Sequence, residues 1–242
     1  MTVKEIFCQV ESLDVLGKDV YRVKLVADEL SQLTYQGGQY LTLQVDGGRW
    51  IPFSIGNAPE ENSHVELHIR LLPGHELAEQ IVEQLQQTKA AHVQIPMGQC
   101  VLRDSDRDVV CIVGGTGFSP IKAMLESAFA KQDRRNFHLY WGAQHSSDLY
   151  LDDLPKQWQS AFSNFNYVPV ISGEQSDWLG ETGFAHEPAI NDLSDLPNKD
   201  FYISGSPAMV MAVYQALLDN GVSKTQIFAD MLDIKREMGE DI

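Results

Sequence analysis

Cysteine is scarce: Cys8, Cys100 and Cys111 stand alone in 242 residues, with no CxxC spacing anywhere. A disulfide scaffold, a structural zinc site and a protein-bound iron–sulfur cluster all need more thiols or closer ones, so no metal is expected. Long apolar runs are missing too. None approaches the roughly 18 residues needed to cross a bilayer, and the opening MTVKEIFCQV has no signal-peptide pattern, which together point to the cytoplasm. Positive charge is in short supply, with 18 Lys and Arg against 34 Asp and Glu, a net charge of −16. Nucleic acid and anionic membranes attract clustered basic residues, so neither is an expected partner. A small anionic ligand stays compatible, because a helix N-terminus and a local patch outweigh distant charge once salt screens it. Three motifs are also absent. No GxGxxG occurs, no Gly-Lys-Ser/Thr closes a glycine loop, and His75-Glu76 lacks the second His of HExxH because residue 79 is Glu.

What is present changes character midway. In the first hundred residues, FCQVESLDVL, VYRVKLVA, QYLTLQV, WIPFSIGN, HVELHIRLL and AHVQIPMG read as strands separated by Gly, Asp and Asn turns. Within them VELHIRL alternates apolar and polar. Residues 75–87 carry Leu77, Ile81, Val82 and Leu85 at helical spacing. The expectation is an N-terminal antiparallel β-barrel with one capping helix, over residues 1–103. After the charged stretch VLRDSDRD come VVCIV, a helix from about 118 to 131, FHLYWGA, a helix near 148–160, NYVPVIS, FYISG, a helix near 207–219 and QIFADM. These strands are continuous apolar runs, as in a parallel sheet covered on both faces. Residues 104–242 are therefore expected to form a C-terminal α/β domain with a parallel, nucleotide-binding sheet.

Three stretches carry chemistry. In GRWIPFSIGNAP, residues 48–59, Pro52 lacks the N–H of a central ladder, so the place reads as an edge, a bulge or a strand end. In VVCIVGGTGFSP, Gly114, Gly115 and Gly117 join a buried strand to a helix, with Thr116 as a hydroxyl and Pro120 near the helix start. Such a turn brings backbone N–H groups close to a pyrophosphate. In FYISGSPAM the arrangement recurs as a strand, the turn Ser204-Gly205-Ser206 and Pro207 opening a helix. Ligands of open parallel sheets collect at the carboxyl ends of strands, where both turns would lie. Cys111 reads as a buried hydrophobe, and Tyr140 and Trp141 as core or wall.

PFSIGN at 52–57, GGTGFSP at 114–120 and YISGSPAM at 202–209, in this order on a barrel and an α/β domain, resemble the ferredoxin-NADP reductase superfamily. LYWGAQ at 139–144 is similar to its bacterial NAD(P)H:flavin oxidoreductase branch, the Fre and LuxG type. The resemblance implies hydride transfer from NADH or NADPH to FMN, riboflavin or FAD, without a metal. It implies that Pro52, Phe53 and Ser54 lie on the flavin side, Phe53 against the ring and the Ser54 hydroxyl near N5 as the catalytic group. His68 and Arg70 fall on the second flavin-side strand. Gly114, Gly115, Thr116 and Gly117 match the pyrophosphate loop, and Gly205, Pro207 and Met209 the later nucleotide-side motif, where Ser204 replaces the usual Cys.

Two departures bear on function. Ile51 stands where relatives with bound flavin carry an Arg for the flavin phosphate, and Arg49 is two residues earlier. That favours a flavin that comes and goes as substrate. Gln144 stands where NADPH-favouring relatives place an Arg, so NADH should serve at least as well. Reduced flavin in this family goes to an oxygenase, a luciferase or ferric iron, by way of a monomer or homodimer. Two alternatives stay open: a tightly flavin-bound electron-transfer reductase acting on a protein partner, and a non-catalytic nucleotide-binding regulatory module.

Overall fold

A computed structural model describes residues 2–72, 74, 76–174 and 177–239. By its contacts the chain divides into two units, residues 1–102 with 119–132, and residues 103–118 with 133–242. His75, with which the expected first helix opens, lies outside the described residues, as do the last residues of the C-terminal tail.

The first unit is a six-stranded antiparallel sheet in the order β4-β3-β6-β1-β2-β5. Its strands are β1 (Lys4–Leu16), β2 (Val20–Val26), β3 (Tyr40–Val45), β4 (Arg49–Ser54), β5 (Val65–Arg70) and β6 (Ala90–Met97). The edge strands β4 and β5 meet, and Gly56 N–H donates to the Glu66 carbonyl at 2.7 Å, rolling the sheet closed. Strand β4 being an edge explains how it tolerates Pro52. Helix α1 (Glu76–Thr88) buries Ile81, Val82 and Leu85. They join one core with Leu41, Leu43, Leu67, Ile69 and Val93 from the strands, while Leu77 packs against it half-buried.

The second unit holds a six-stranded parallel sheet in the order β10-β9-β8-β7-β11-β12. The chain runs through β7 (Asp108–Gly114), α2 (Phe118–Ala130), β8 (Phe137–Ala143), α3 (Asp153–Ala161), β9 (Phe165–Ile171), β10 (Glu181–Thr182), α4 (His186–Asp192), β11 (Lys199–Ser204), α5 (Pro207–Asp219), β12 (Ile227–Phe228) and α6 (Asp230–Glu237). The apolar runs are buried on both faces: Val109 through Val113 of β7 are all inaccessible. Cys111 is among them, and burial pushes its thiol up to about 12, which suits a packing residue and not a nucleophile. Helix α2 begins at Phe118 in the second unit, and its residues from Ser119 onward group with the first. Among the described residues no helix is long and apolar enough to cross a membrane.

Candidate functional site

On the barrel, β4 sets out the expected flavin-side residues in order. Arg49 is exposed at its start and Pro52 is exposed opposite Thr42. Opposite to Pro52, Ile51 and Phe53 lie on the strand face that Arg49 begins and pack, half-buried, against the barrel core. Ser54 ends the strand half-buried, opposite Tyr40.

The bend that follows is fixed on every side. Ile55 N–H donates to the Gln39 carbonyl at 3.0 Å, and Gly56 is bonded to β5 as described. Asn57, fully buried, donates through Nδ2 to the carbonyls of Glu61 and His64, each at 3.0 Å, and accepts from Glu66 N–H at 2.8 Å. Tyr35 donates its hydroxyl to the Asn57 carbonyl at 3.1 Å. A Cβ added at Gly56 would come within 2.9 Å of Ser119 Oγ, 3.3 Å of the Glu66 carbonyl oxygen and 3.4 Å of His68 Nε2, so only glycine fits without displacement.

Strand β5 differs from its alternating pattern by being buried on both faces. Val65, Leu67 and Ile69 face the core, and the polar face is covered where Lys122 of α2 pairs with Glu66 at 3.2 Å. The His68 side chain is inaccessible, with Nε2 2.8 Å from Glu66 Oε1. Burial would raise the Glu66 pKa, yet the His68 hydrogen bond and the Lys122 ammonium hold it down at about 2. Burial lowers the His68 pKa, against the pull of Glu66. A neutral imidazole facing an ionised carboxylate must carry its proton on Nε2. Arg70 lies half-buried with Nε 2.9 Å from Asp19.

In the second unit, the turns after β7 and β11 lie side by side because these strands pair, Val113 opposite Ser204. Their approach depends on glycine. A Cβ at Gly117 would lie 2.3 Å from the Ser204 carbonyl oxygen, one at Gly114 would lie 2.4 Å from Met209 Sδ, and one at Gly205 would lie 2.8 Å from the same sulfur. Gly115 has φ +53°, and Thr116 follows it in a single 3₁₀ turn. Pro207 opens α5, where the Ser206 hydroxyl accepts Met209 N–H at 3.3 Å. Gln144 is exposed just beyond β8, and its carbonyl accepts Gly173 N–H at 2.9 Å. The glycine turn, the Gly205 turn and Gln144 thus share the carboxyl edge of three neighbouring strands, where open sheets bind nucleotides. The close-packed glycines leave backbone free to approach a pyrophosphate, so the residues fit that group.

Lys122, Glu66 and Ser119 are not expected at the site from the sequence, and Trp141, expected as core or wall, has a further contact there. Trp141 donates Nε1–H to the Gly115 carbonyl at 3.0 Å and stacks on Phe118 with centroids 4.1 Å apart, which props the glycine turn from below. The buried Ser119 hydroxyl has no hydrogen-bond partner among the described residues. The one local signal for Lys122 was its place in the mostly apolar FSPIKAML.

Comparison with known proteins finds two family matches, the second of which runs through residues 119–132 that group by contacts with the first unit. Residues 7–101 match the oxidoreductase FAD-binding domain and residues 111–215 the oxidoreductase NAD-binding domain. The CDP-6-deoxy-L-threo-D-glycero-4-hexulose-3-dehydrase reductase of Yersinia pestis is 33% identical over 92% of this chain and 67% of its own length. The NAD(P)H-flavin reductase of Vibrio harveyi is 31% identical over 92% of this chain and 96% of its own length. The structure of the Amycolatopsis reductase GcoB superposes with a TM-score of 0.86 at 26% identity, covering 94% of this chain and 69% of that one. With a flavin-binding barrel and a nicotinamide-nucleotide-binding parallel sheet, this chain belongs to the ferredoxin-NADP reductase superfamily of oxidoreductases.

Proposed function

We propose that the chain is an NAD(P)H:flavin oxidoreductase that draws hydride from NADH at least as well as from NADPH and delivers it to a freely exchanging FMN, riboflavin or FAD. Residues 1–103 serve as the flavin-binding domain and 104–242 as the NAD(P)H-binding domain. The observation that carries the free-flavin reading is Ile51, an apolar side chain packed on the barrel core where a fixed phosphate clamp would need a cation. Arg70 is engaged with Asp19, and Arg49 stands exposed at the far end of β4. A site that grips the ring and neglects the tail accepts all three flavins.

When both are bound, the dinucleotide supplies a hydride and the flavin ring accepts it. The chain's own residues orient the rings and exclude water. The Ser54–Asn57 bend would hold the Ser54 hydroxyl at the ring of a bound flavin, where it could support the change of protonation at N5. Phe53 supplies an apolar edge, and the paired glycine turns receive the pyrophosphate. Reduced flavin then leaves for a flavin-consuming oxygenase, a luciferase or ferric iron. The test is the colour of desalted protein. A colourless preparation that oxidises NADH only after flavin is added supports the proposal, and a yellow one with stoichiometric flavin refutes it.

A second reading, flavin retained and electrons passed to a protein partner, draws on the Yersinia relative, whose name makes it the reductase for a dehydrase. It predicts the yellow outcome.

A further inference from the structure

Lys122 is 7% exposed, and its ammonium is fully satisfied. Nζ donates to the Gly56 carbonyl at 2.8 Å, pairs with Glu66 Oε1 at 3.2 Å and reaches both oxygens of Glu126 at 3.0 and 3.1 Å. Three donors meet three acceptor groups. Taking a charge out of water is expensive, and a hydrophobic side chain of the same length would fill the space more cheaply. What the hydrophobic side chain could not do is hold a carbonyl. The uncharged acceptor in the set is the Gly56 carbonyl, two residues past Ser54. Gly56 is thereby gripped at both peptide groups, its N–H by β5 and its carbonyl by α2. The two grips share one anchor, since Glu66 supplies the carbonyl for the first and a carboxylate that holds Lys122 for the second.

We propose that Lys122 is a positioning residue for the flavin-side bend, setting through the Gly56 carbonyl where Ser54 stands relative to a bound flavin. This rests on the functional reading above. Lys122 touches neither flavin nor dinucleotide in this account, and acts through Gly56 alone. Lys131 provides the contrast: it bonds Glu60 at 3.1 Å from the end of the same helical segment, but its side chain is 64% exposed and reaches no part of the bend.

The test compares wild type, Lys122→Met, Lys122→Gln and Lys131→Met. It measures the maximal rate of FMN reduction by NADH per folded molecule, the half-saturating FMN and NADH concentrations, and unfolding in urea. Lys122→Met is expected to lower the maximal rate by about 10- to 100-fold, the effect of misplacing a reacting group by an ångström. It should raise half-saturating FMN and leave half-saturating NADH unchanged. Lys122→Gln keeps an N–H donor and recovers part of the rate, and Lys131→Met matches wild type. A lysine that served only stability would shift the urea midpoint without moving the rate per folded molecule. The proposal is overturned if Lys122→Met keeps the wild-type rate, if Lys122→Gln is as slow as Lys122→Met, or if neither Lys122 variant folds, which would make the lysine a requirement of the fold. The underlying functional reading fails separately, when wild type passes no hydride from NADH to FMN. Lys122 is then judged by FMN binding, where weaker binding by Lys122→Met upholds the proposal and equal binding overturns it.

Discussion

Replacing Gly117 by alanine puts the nucleotide side of the account under direct strain. The new Cβ would stand 2.3 Å from the Ser204 carbonyl oxygen, 2.5 Å from its carbon and 2.8 Å from Gly205 N, all backbone atoms with no rotamer to escape by. Relief requires the two turns to part by about 1 Å to restore van der Waals distance. Overpacking of this kind costs about 1–3 kcal/mol of stability. A pyrophosphate cradle opened by that much should lose about 10- to 100-fold in NADH affinity. Gly114→Ala offers an internal scale. Its Cβ meets Met209 Sδ at 2.4 Å, and a methionine side chain can swing away. Its effect should therefore be smaller than that of Gly117→Ala, and adding Met209→Ala should relieve the clash. The assay is half-saturating NADH with riboflavin as acceptor, together with urea unfolding. A Gly117→Ala protein with wild-type NADH affinity would refute the proposed role of the paired turns.

Four further outcomes follow from the geometry. Ser54→Ala should lower turnover about 10- to 100-fold, or about 1.4–2.7 kcal/mol of barrier, with NADH binding intact, and full activity would remove the hydroxyl from the mechanism. Trp141→Phe deletes the bond to the Gly115 carbonyl, so stability should fall by about 1 kcal/mol and half-saturating NADH should rise. An unchanged thermal midpoint and NADH constant would show the bond to be idle. Gln144→Arg should move donor preference toward NADPH by about tenfold, because the guanidinium supplies the charge that a 2′-phosphate seeks. No movement would take residue 144 out of the nucleotide site. Glu66, held at about 2 against an ordinary 4.5, stabilises the fold fully above 4.5 and progressively less as pH falls toward 2. The stability advantage of wild type over Glu66→Gln should shrink across that window, and a pH-independent difference would contradict the buried ion pair.

The parts of this fold that were legible in the sequence are those where one residue type has few alternatives. Gly117 is needed where two backbones nearly touch, Gly114 and Gly205 where the Met209 side chain packs on the turns, and Pro207 sits at the first position of α5, so the two turns announced themselves. Helix α5 runs over Pro207–Asp219, the expected span, because Pro at one end leaves little freedom in where it starts. Helix α3 begins later than expected, at Asp153. Leu149 and Tyr150 are buried ahead of it in a non-helical segment, so their apolar character mimicked a helix face. The polar face of β5 was illegible for a different reason. VELHIRL alternates as a half-exposed strand would, and nothing local reveals that Glu66 is covered by a lysine from a helix far along the chain. A buried ion pair between distant segments has no periodicity to read. The same holds for Trp141, whose apolar ring predicts its burial while its single N–H, aimed at the glycine turn, depends on tertiary placement.

In the proposed reaction, flavin passes through this protein as a substrate. An anaerobic titration with FMN in large excess over the protein tests it most directly, by following flavin bleaching as NADH is added. The whole flavin pool should be reduced, one FMN for each NADH consumed. Bleaching that stops after a single protein equivalent would contradict it.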